Sequence, residues 1–173
     1  SVMEKHITHH DHPADYLRIT MLFEKPFWKS WLQDSYCMLD AFDGCCLYDE
    51  SSRTPGARHG VLGWLLGGTA AKKMAGQNDK ELIAAALESL PFHHKDAKQL
   101  FREAKVHRWL GAVSAQPGGF QQHSADSRHC PNANDYPRLF VVGDYLFDST
   151  LNGVLDSADY AAGWITTMAA AQE

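Results

Sequence analysis

The sequence predicts an α+β fold, a mainly antiparallel sheet with helices on one side, and three observations carry that expectation. Runs rich in β-branched and aromatic residues recur at 16–23, 35–48, 59–66 and 105–115, separated by turn formers. A capped, periodic apolar stretch follows Asn78 and reads as a helix. The last third, residues 138–162, reads as a short apolar strand, Gly143-Asp144, a linker, and a long Ala-rich helix opened by Asn152-Gly153.

Size and charge set limits on this reading. A chain of 173 residues buries roughly 70% of its unfolded surface, so one compact domain is the default. Sixteen Lys+Arg stand against 21 Asp+Glu, a net charge of -5. No basic stripe suits a phosphate backbone, and no nucleic-acid partner is expected. No apolar run reaches the roughly 18 residues of a membrane span. The opening SVMEKHITHHDH has neither the apolar core nor the cleavage pattern of a signal peptide. A soluble, cytoplasmic chain without a membrane partner is expected. Its four cysteines, Cys37, Cys45, Cys46 and Cys130, are irregularly spaced and are expected to be reduced thiols, with Cys45 and Cys46 on opposite faces of a strand.

Taken in order, the chain opens with His6, His9, His10, Asp11 and His12, residue types that suit Zn²⁺. Their THHDH spacing is one residue short of the alternation used by metallo-β-lactamase-type sites, so a solvated, mobile terminus and no metal are expected. Residues 16–23 (YLRITMLF) form a strand closed by Glu24-Lys25-Pro26, and Phe27-Trp28 follow. Residues 35–48 hold two short strands flanking Asp43-Gly44, a turn-forming dipeptide. The run DESSRTPGARHG is a loop, and HGVLGWLL resumes strand character before Gly67-Gly68 and a short helix. The glycines of GVLGWLLGG lack the spacing and acidic partner of a dinucleotide fingerprint and are packing devices. Asn78 and Glu81 form a capping box, and Pro91 ends that helix. Residues 95–104 suggest an amphipathic surface helix. Residues 105–115 are a strand ending at Gln116-Pro117-Gly118-Gly119, and residues 120–135 are a long loop.

A buried strand that stops at glycine and acid, followed by a helix, delivers a close backbone approach, a carboxylate for hydroxyl donors, and a positive helix end. Gly143-Asp144, Ser149, Gly153 and Ser157 in this order resemble the C-terminal flavin-binding signature of the FAD-dependent amine oxidase superfamily, with Val154 and Ala158 where that family usually has Ala and Gly. Pro26-Phe27-Trp28 after a strand resembles the same family's substrate domain. A basic residue ten positions before the Trp is lysine in many amine oxidases, where it holds a water near flavin N5. That position is Arg18 here, whose planar guanidinium either keeps the electrostatic role or pairs with an acid. Trp109 and Pro117-Gly118-Gly119 resemble the strand that leads to the flavin and lines the substrate cavity, although a Trp in a strand is also a common core residue.

This resemblance implies a substrate-domain-like region at 1–135 and a C-terminal FAD-binding segment at 136–173, the strand and helix of an FAD/NAD(P)-binding domain that is otherwise absent. It implies FAD as cofactor, with Gly143, Asp144, Asn152, Gly153 and Val154 as its contacts. Asp144 would bond the ribityl chain, and the N–H groups around Gly153 and Val154 would face the N1–C2 carbonyl edge. Arg18, Trp109 and Thr150 are the candidate catalytic residues, Thr150 standing where amine oxidases place one of two aromatic side chains. The 173 residues contain no GxGxxG unit. The expected partners are therefore a small-molecule substrate and an N-terminal FAD domain in cis or trans, and the chain alone should bind FAD poorly. An unpaired final strand would promote self-association. The competing expectation is a non-catalytic α+β domain that binds a ligand or partner without flavin.

Overall fold

The computed structural model describes residues 1–53, 56–91, 94–116 and 119–171. The chain divides into two compact units, one of Ser1–Pro13 with Val113–Glu173 and one of Ala14–Ala112. The division expected between residues 135 and 136 falls inside the first of these.

The unit Ala14–Ala112 is organised by a five-stranded antiparallel sheet. Helix α1 (Val2–His10) lies outside it, in the other unit. Strands β1 (Pro13–Phe23), β2 (Tyr36–Leu39), β3 (Cys45–Asp49), β4 (Gly60–Gly67) and β5 (Phe101–Ser114) take the spatial order β2-β3-β4-β1-β5. Period-2 alternation sets the faces. Leu17, Ile19, Met21 and Phe23 of β1 are fully buried, as are Leu62, Trp64 and Leu66 of β4 and Leu47 of β3. Their register, Ile19 opposite Trp64 and Leu47 opposite Trp64, stacks these side chains on one face. Helices α2 (Gly68–Met74), α3 (Asp79–Glu88) and α4 (His94–Leu100) cover that face through Ala71, Leu82, Ala86, Leu87 and Ala97.

Local chemistry explains the boundaries. Asn78 caps α3 reciprocally, its side chain accepting from the Glu81 N–H at 3.0 Å while Glu81 accepts from the Asn78 N–H at 3.2 Å. Asp43 and Gly44 both take positive φ, 60° and 100°, in the connection from β2 to β3. The glycines of β4 are packing devices. The Trp28 ring occupies the space a Cβ at Gly60 would need, and the Arg18 guanidinium lies 3.2 Å from a Cβ built at Gly63. The helix expected over 95–104 ends at Leu100, because from Phe101 the backbone continues as β5. At one end of the β1/β5 edge the Glu24 N–H bonds the Leu100 carbonyl at 2.8 Å, and at the other the Gly111 N–H bonds Asp15 at 2.7 Å. These bonds fix an antiparallel pair. All four cysteines are free thiols, Cys45 buried on the core face and Cys46 half-buried on the opposite one.

In the unit Ser1–Pro13 with Val113–Glu173, three expectations are corrected. The first dozen residues are a capped helix rather than a mobile terminus. Ser1 Oγ accepts from the Glu4 N–H at 3.1 Å, Glu4 pairs back with the N-terminal ammonium, and His6 and His10 are buried. The loop expected over 120–135 contains helix α5 (Ala125–His129), capped by Ser124. The strand expected at 139–142 does not form. Its backbone is held locally, the Leu139 N–H by the Tyr136 carbonyl and the Val141 N–H by the His129 carbonyl, and Leu139 and Val142 are exposed. Among the described residues no parallel neighbour exists to supply a ladder, and a strand without a partner leaves its own polar groups to find others. The final helix, α6 (Leu151–Ala170), does form, with Gly153, Ser157 and Ala161 buried at four-residue intervals. No described helix is long and apolar enough to cross a membrane.

Candidate functional site

The Gly143-Asp144 segment bends into a single 3₁₀ turn, Asp144–Leu146, that packs against α6. Asp144 is half-buried, and one of its carboxylate oxygens accepts from Ser149 Oγ at 3.2 Å. The chain then reaches Thr150, whose Oγ1 accepts the Gly153 N–H at 3.0 Å and so caps α6. Gly153 is required by steric crowding, because a Cβ there would collide with the Asp148 carbonyl. The N–H groups expected to face a ligand at Gly153 and Val154 are engaged within the chain, the first by Thr150 Oγ1 and the second by the Thr150 carbonyl at 3.2 Å. One step earlier, helix geometry leaves the N–H groups of Leu151 and Asn152 without a partner inside α6, at its positive end. Around them Val142, Leu151, Val154 and Leu155 are exposed.

Behind this turn lies a polar cluster that the sequence did not reveal. His129 and Ser157 are both fully buried. His129 Nδ1 lies 2.8 Å from the Ala125 carbonyl and must carry the proton, so Nε2 accepts the Ser157 hydroxyl at 3.0 Å. Ser157 Oγ also accepts the Gly143 N–H at 3.0 Å. The Gly143 backbone is thereby tied through α6 to α5. Burial holds the His129 pKa below its ordinary value, against an opposing effect of the Ala125 carbonyl. Arg128 beside it donates to the Gln122 side chain at 2.6 Å and to the Leu146 carbonyl, and covers the Phe147 ring at 4.8 Å. Tyr145, half-buried, has its phenol pKa raised by burial and then by Asp144.

The other unit carries Arg18 and Trp109. Arg18 pairs with Glu50, which also accepts from Arg53 Nε at 2.8 Å. Of the two open readings of Arg18, the pairing with an acid is the one seen, on the outer face of β1. Trp109 is not a core residue. It is 42% exposed and stacks on His107, with centroids 5.6 Å apart and planes 17° apart. Lys105 and His107 of β5 line a shallow groove with Thr20 and Leu22 of β1, which puts Arg18 and Trp109 on the same open face by period 2. Tyr36 and Tyr48, paired across β2 and β3, extend that face with rings 6.0 Å apart. The structure therefore gathers Gly143, Asp144, Thr150, Asn152, Gly153 and Val154 in one unit, and Arg18 and Trp109 in the other. Pro117 and Gly118 of the expected turn lie outside the described residues.

A third cluster gathers histidines. His6, His9 and His10 of α1 lie with His12, His123, Phe120 and Tyr145. His9 stacks on His123 at 4.0 Å and meets the tilted Phe120 ring at 4.7 Å, and the His6 and His10 rings approach to 4.6 Å. Burial first, and then the neighbouring histidines and Arg128, push the His10 pKa down to about 4. The sequence signals that could have placed α1 were present, namely Ser1 and Glu4 at capping-box spacing and His6 and His10 one turn apart.

The sequence matches the family described as flavin containing amine oxidoreductase over residues 14–166. No curated protein matches it. Among solved structures, cyclohexylamine oxidase from Brevibacterium oxydans IH-35A is similar with a TM-score of 0.67 at 16% identity, over 90% of this chain and 36% of that one. A protein from Exiguobacterium sp. 255-15 proposed to be a protoporphyrinogen oxidase gives a TM-score of 0.62 at 13% identity, over 91% of this chain and 35% of that one. At these identities the likeness is one of fold, and the chain spans little more than a third of either structure. The donor set fits the flavin that the family's description names. Two N–H groups without a partner inside the helix, at its positive end, suit the flavin edge that gains negative charge, Asp144 retains acceptor capacity for hydroxyls, and exposed apolar side chains flank both.

Proposed function

Because this chain belongs to the flavin-containing amine oxidoreductase family, we propose that it is the C-terminal portion of an FAD-dependent oxidoreductase that oxidises a C–N or C–C bond by hydride transfer to flavin. The observation that carries this reading is the packing of the Asp144 turn against the start of α6, whose first N–H groups, at Leu151 and Asn152, have no partner inside the helix. The chemistry that FAD supplies when bound is hydride acceptance at its ring system.

The chain's own residues bind and orient. Leu151 and Asn152 donate toward the ring edge where negative charge develops, and no reorganisation is needed because α6 already fixes their direction. Gly143 makes room for the Tyr145 ring, which fills the place of a Cβ there, while its N–H is held by Ser157. Asp144 accepts hydroxyls of the ribityl chain. Gly153 and Val154 set the shape of the helix start, and Thr150 holds it in place. On the sheet unit, Arg18, clamped by Glu50, supplies a fixed positive charge, and Trp109 with His107 presents a stacked aromatic surface to a small-molecule substrate. An N-terminal FAD domain, in cis or in trans, completes the cofactor site and covers the exposed apolar residues Val142, Leu151, Val154 and Leu155. Without it the chain holds FAD weakly and tends to self-associate.

The test supplies an FAD-binding domain by fusion or co-expression and reads flavin absorbance after gel filtration. Flavin should co-elute with the chain. Asp144→Ala should lower the retained FAD several-fold with an unchanged far-UV spectrum. No flavin absorbance after FAD addition overturns the reading, and unchanged retention in the variant removes Asp144 from the site.

A further inference from the structure

The histidine cluster serves no part of the flavin reading, and it has the composition of a metal site. Helix geometry puts His6 and His10 one turn apart on the same face, with His9 beside them. His123 arrives from a segment more than a hundred residues later and stacks on His9. One ring nitrogen each of His9, His10 and His123 lies within 4.8 Å of the other two. An ion at their centre therefore sits within about 2.8 Å of each, against roughly 2.0–2.1 Å for a zinc–imidazole bond. Closing that gap turns the His9 and His123 rings out of their parallel stack, so that their in-plane lone pairs converge on the ion.

A second observation points to a ligand. His10 is only 6% exposed, yet neither of its ring nitrogens has a hydrogen-bond partner among the described residues. The Nε2 atoms of His6, His9 and His12 are buried and unpaired in the same way. Buried polar atoms are nearly always satisfied, and a gathering of unsatisfied ones at a single spot asks for an ion or ordered water. Every one of these groups is an imidazole, the ligand suited to zinc, nickel and copper rather than to calcium or magnesium. Burial favours the neutral ring, which is the form that offers a lone pair. Phe120 and Tyr145 wall the cluster, and exposed His123 gives access from solvent.

We propose that His9, His10 and His123 bind one divalent transition-metal ion of the zinc class, with a fourth position open to solvent, and that the ion clasps α1 to the segment carrying His123. His6 and His12 stand behind these three as the surrounding imidazoles. This site is separate from the flavin-contacting residues and does not depend on the oxidoreductase reading.

The full chain, stripped with a chelator, is titrated with Zn²⁺ against a chromophoric competitor and separately with Co²⁺. One ion per chain is expected, with the visible absorption of near-tetrahedral Co²⁺ and a Zn²⁺-dependent rise in the unfolding temperature. His123→Ala removes an exposed ligand and should weaken binding at least tenfold while leaving the far-UV spectrum intact. His10→Ala should do the same where it folds, and His59→Ala, an exposed histidine of the other unit, should change nothing. No Zn²⁺ binding, or binding equally tight in the wild type and His123→Ala, overturns the proposal. In that event the cluster is a stack of neutral imidazoles with water between them.

Discussion

In the unit Ala14–Ala112 the buried side chains among the described residues are apolar, from Leu17 and Ile19 through Trp28, Trp64 and Leu82. In the unit of Ser1–Pro13 with Val113–Glu173 the buried set includes His6, His10, Arg128, His129 and Ser157, with Cys130, Leu146 and Ala161 as its buried apolar residues. The same unit exposes Leu139, Val142, Leu151, Leu155 and Ile165. The sheet unit is held by apolar area and shape. The helical unit is held by specific polar pairs, and much of its apolar surface faces outward. One unit should therefore tolerate the loss of a single hydrogen bond and suffer from the loss of volume, while the other should show the reverse.

The largest test of that contrast is Trp64→Ala. Trp64 is fully buried between β1 and β3, and its Nε1–H donates to Ser89 Oγ at 2.9 Å. Truncation leaves a cavity under α3 and should cost about 3–5 kcal/mol, read as a lower urea midpoint. A loss under 1 kcal/mol would mean that the sheet unit is not held by packing.

Ser157→Ala is the counterpart in the helical unit. It removes one oxygen but strands two groups, the buried His129 Nε2 and the half-buried Gly143 N–H. At about 1–3 kcal/mol for the fully buried imidazole nitrogen and about 1 kcal/mol for the half-buried N–H, a loss of about 2–4 kcal/mol is expected from a change that leaves apolar volume nearly untouched. A neutral result would show that water replaces the hydroxyl and that polar pairing does not hold this unit together.

A smaller effect follows from pH. The folded His129 pKa lies below its ordinary value because the ring is buried, so the folded state resists protonation more than the unfolded chain does. The stabilisation is fully present above the unfolded pKa of about 6.5 and is lost as pH falls through the folded value. His6 and His10 are shifted in the same direction. Unfolding midpoints should fall between pH 7 and pH 5, and less steeply in His129→Gln. An identical slope in the variant would remove His129 from the account.

The same contrast explains what the sequence could reveal. Strands β1 and β4 were readable because alternation at period 2 is local, and the Asn78–Glu81 box because both partners sit within four residues. The open sheet face was half readable. Arg18 and Trp109 came from motif positions, but the Glu50 clamp and the His107 stack depend on a strand register that no single stretch contains. The expected strand at 139–142 failed for a related reason, since an apolar run becomes a strand only beside another. His129 with Ser157, and His9 with His123, lie 28 and 114 positions apart, and nothing local marks them as neighbours. Where function rests on such polar pairs, a sequence supplies residue types and the fold supplies the pairing.

The smallest effect tests whether Thr150 acts on the helix or on a substrate. Its Oγ1 accepts the Gly153 N–H at 3.0 Å and donates to Asp148 Oδ2 at 3.2 Å, and its carbonyl takes the Val154 N–H. Thr150→Ala removes the cap and should cost about 1 kcal/mol. Thr150→Ser keeps the oxygen and discards only the methyl group. If Thr150 serves α6 alone, the serine variant regains stability and, in the protein supplied with its FAD domain, wild-type flavin retention and KM, whereas the alanine variant loses retention as the helix start loosens. If the methyl group lines the substrate cavity, the serine variant is stable and retains flavin but shows a changed KM. The hydrogen bonds favour the first outcome, because each polar group of Thr150 that they account for points into the turn that opens α6.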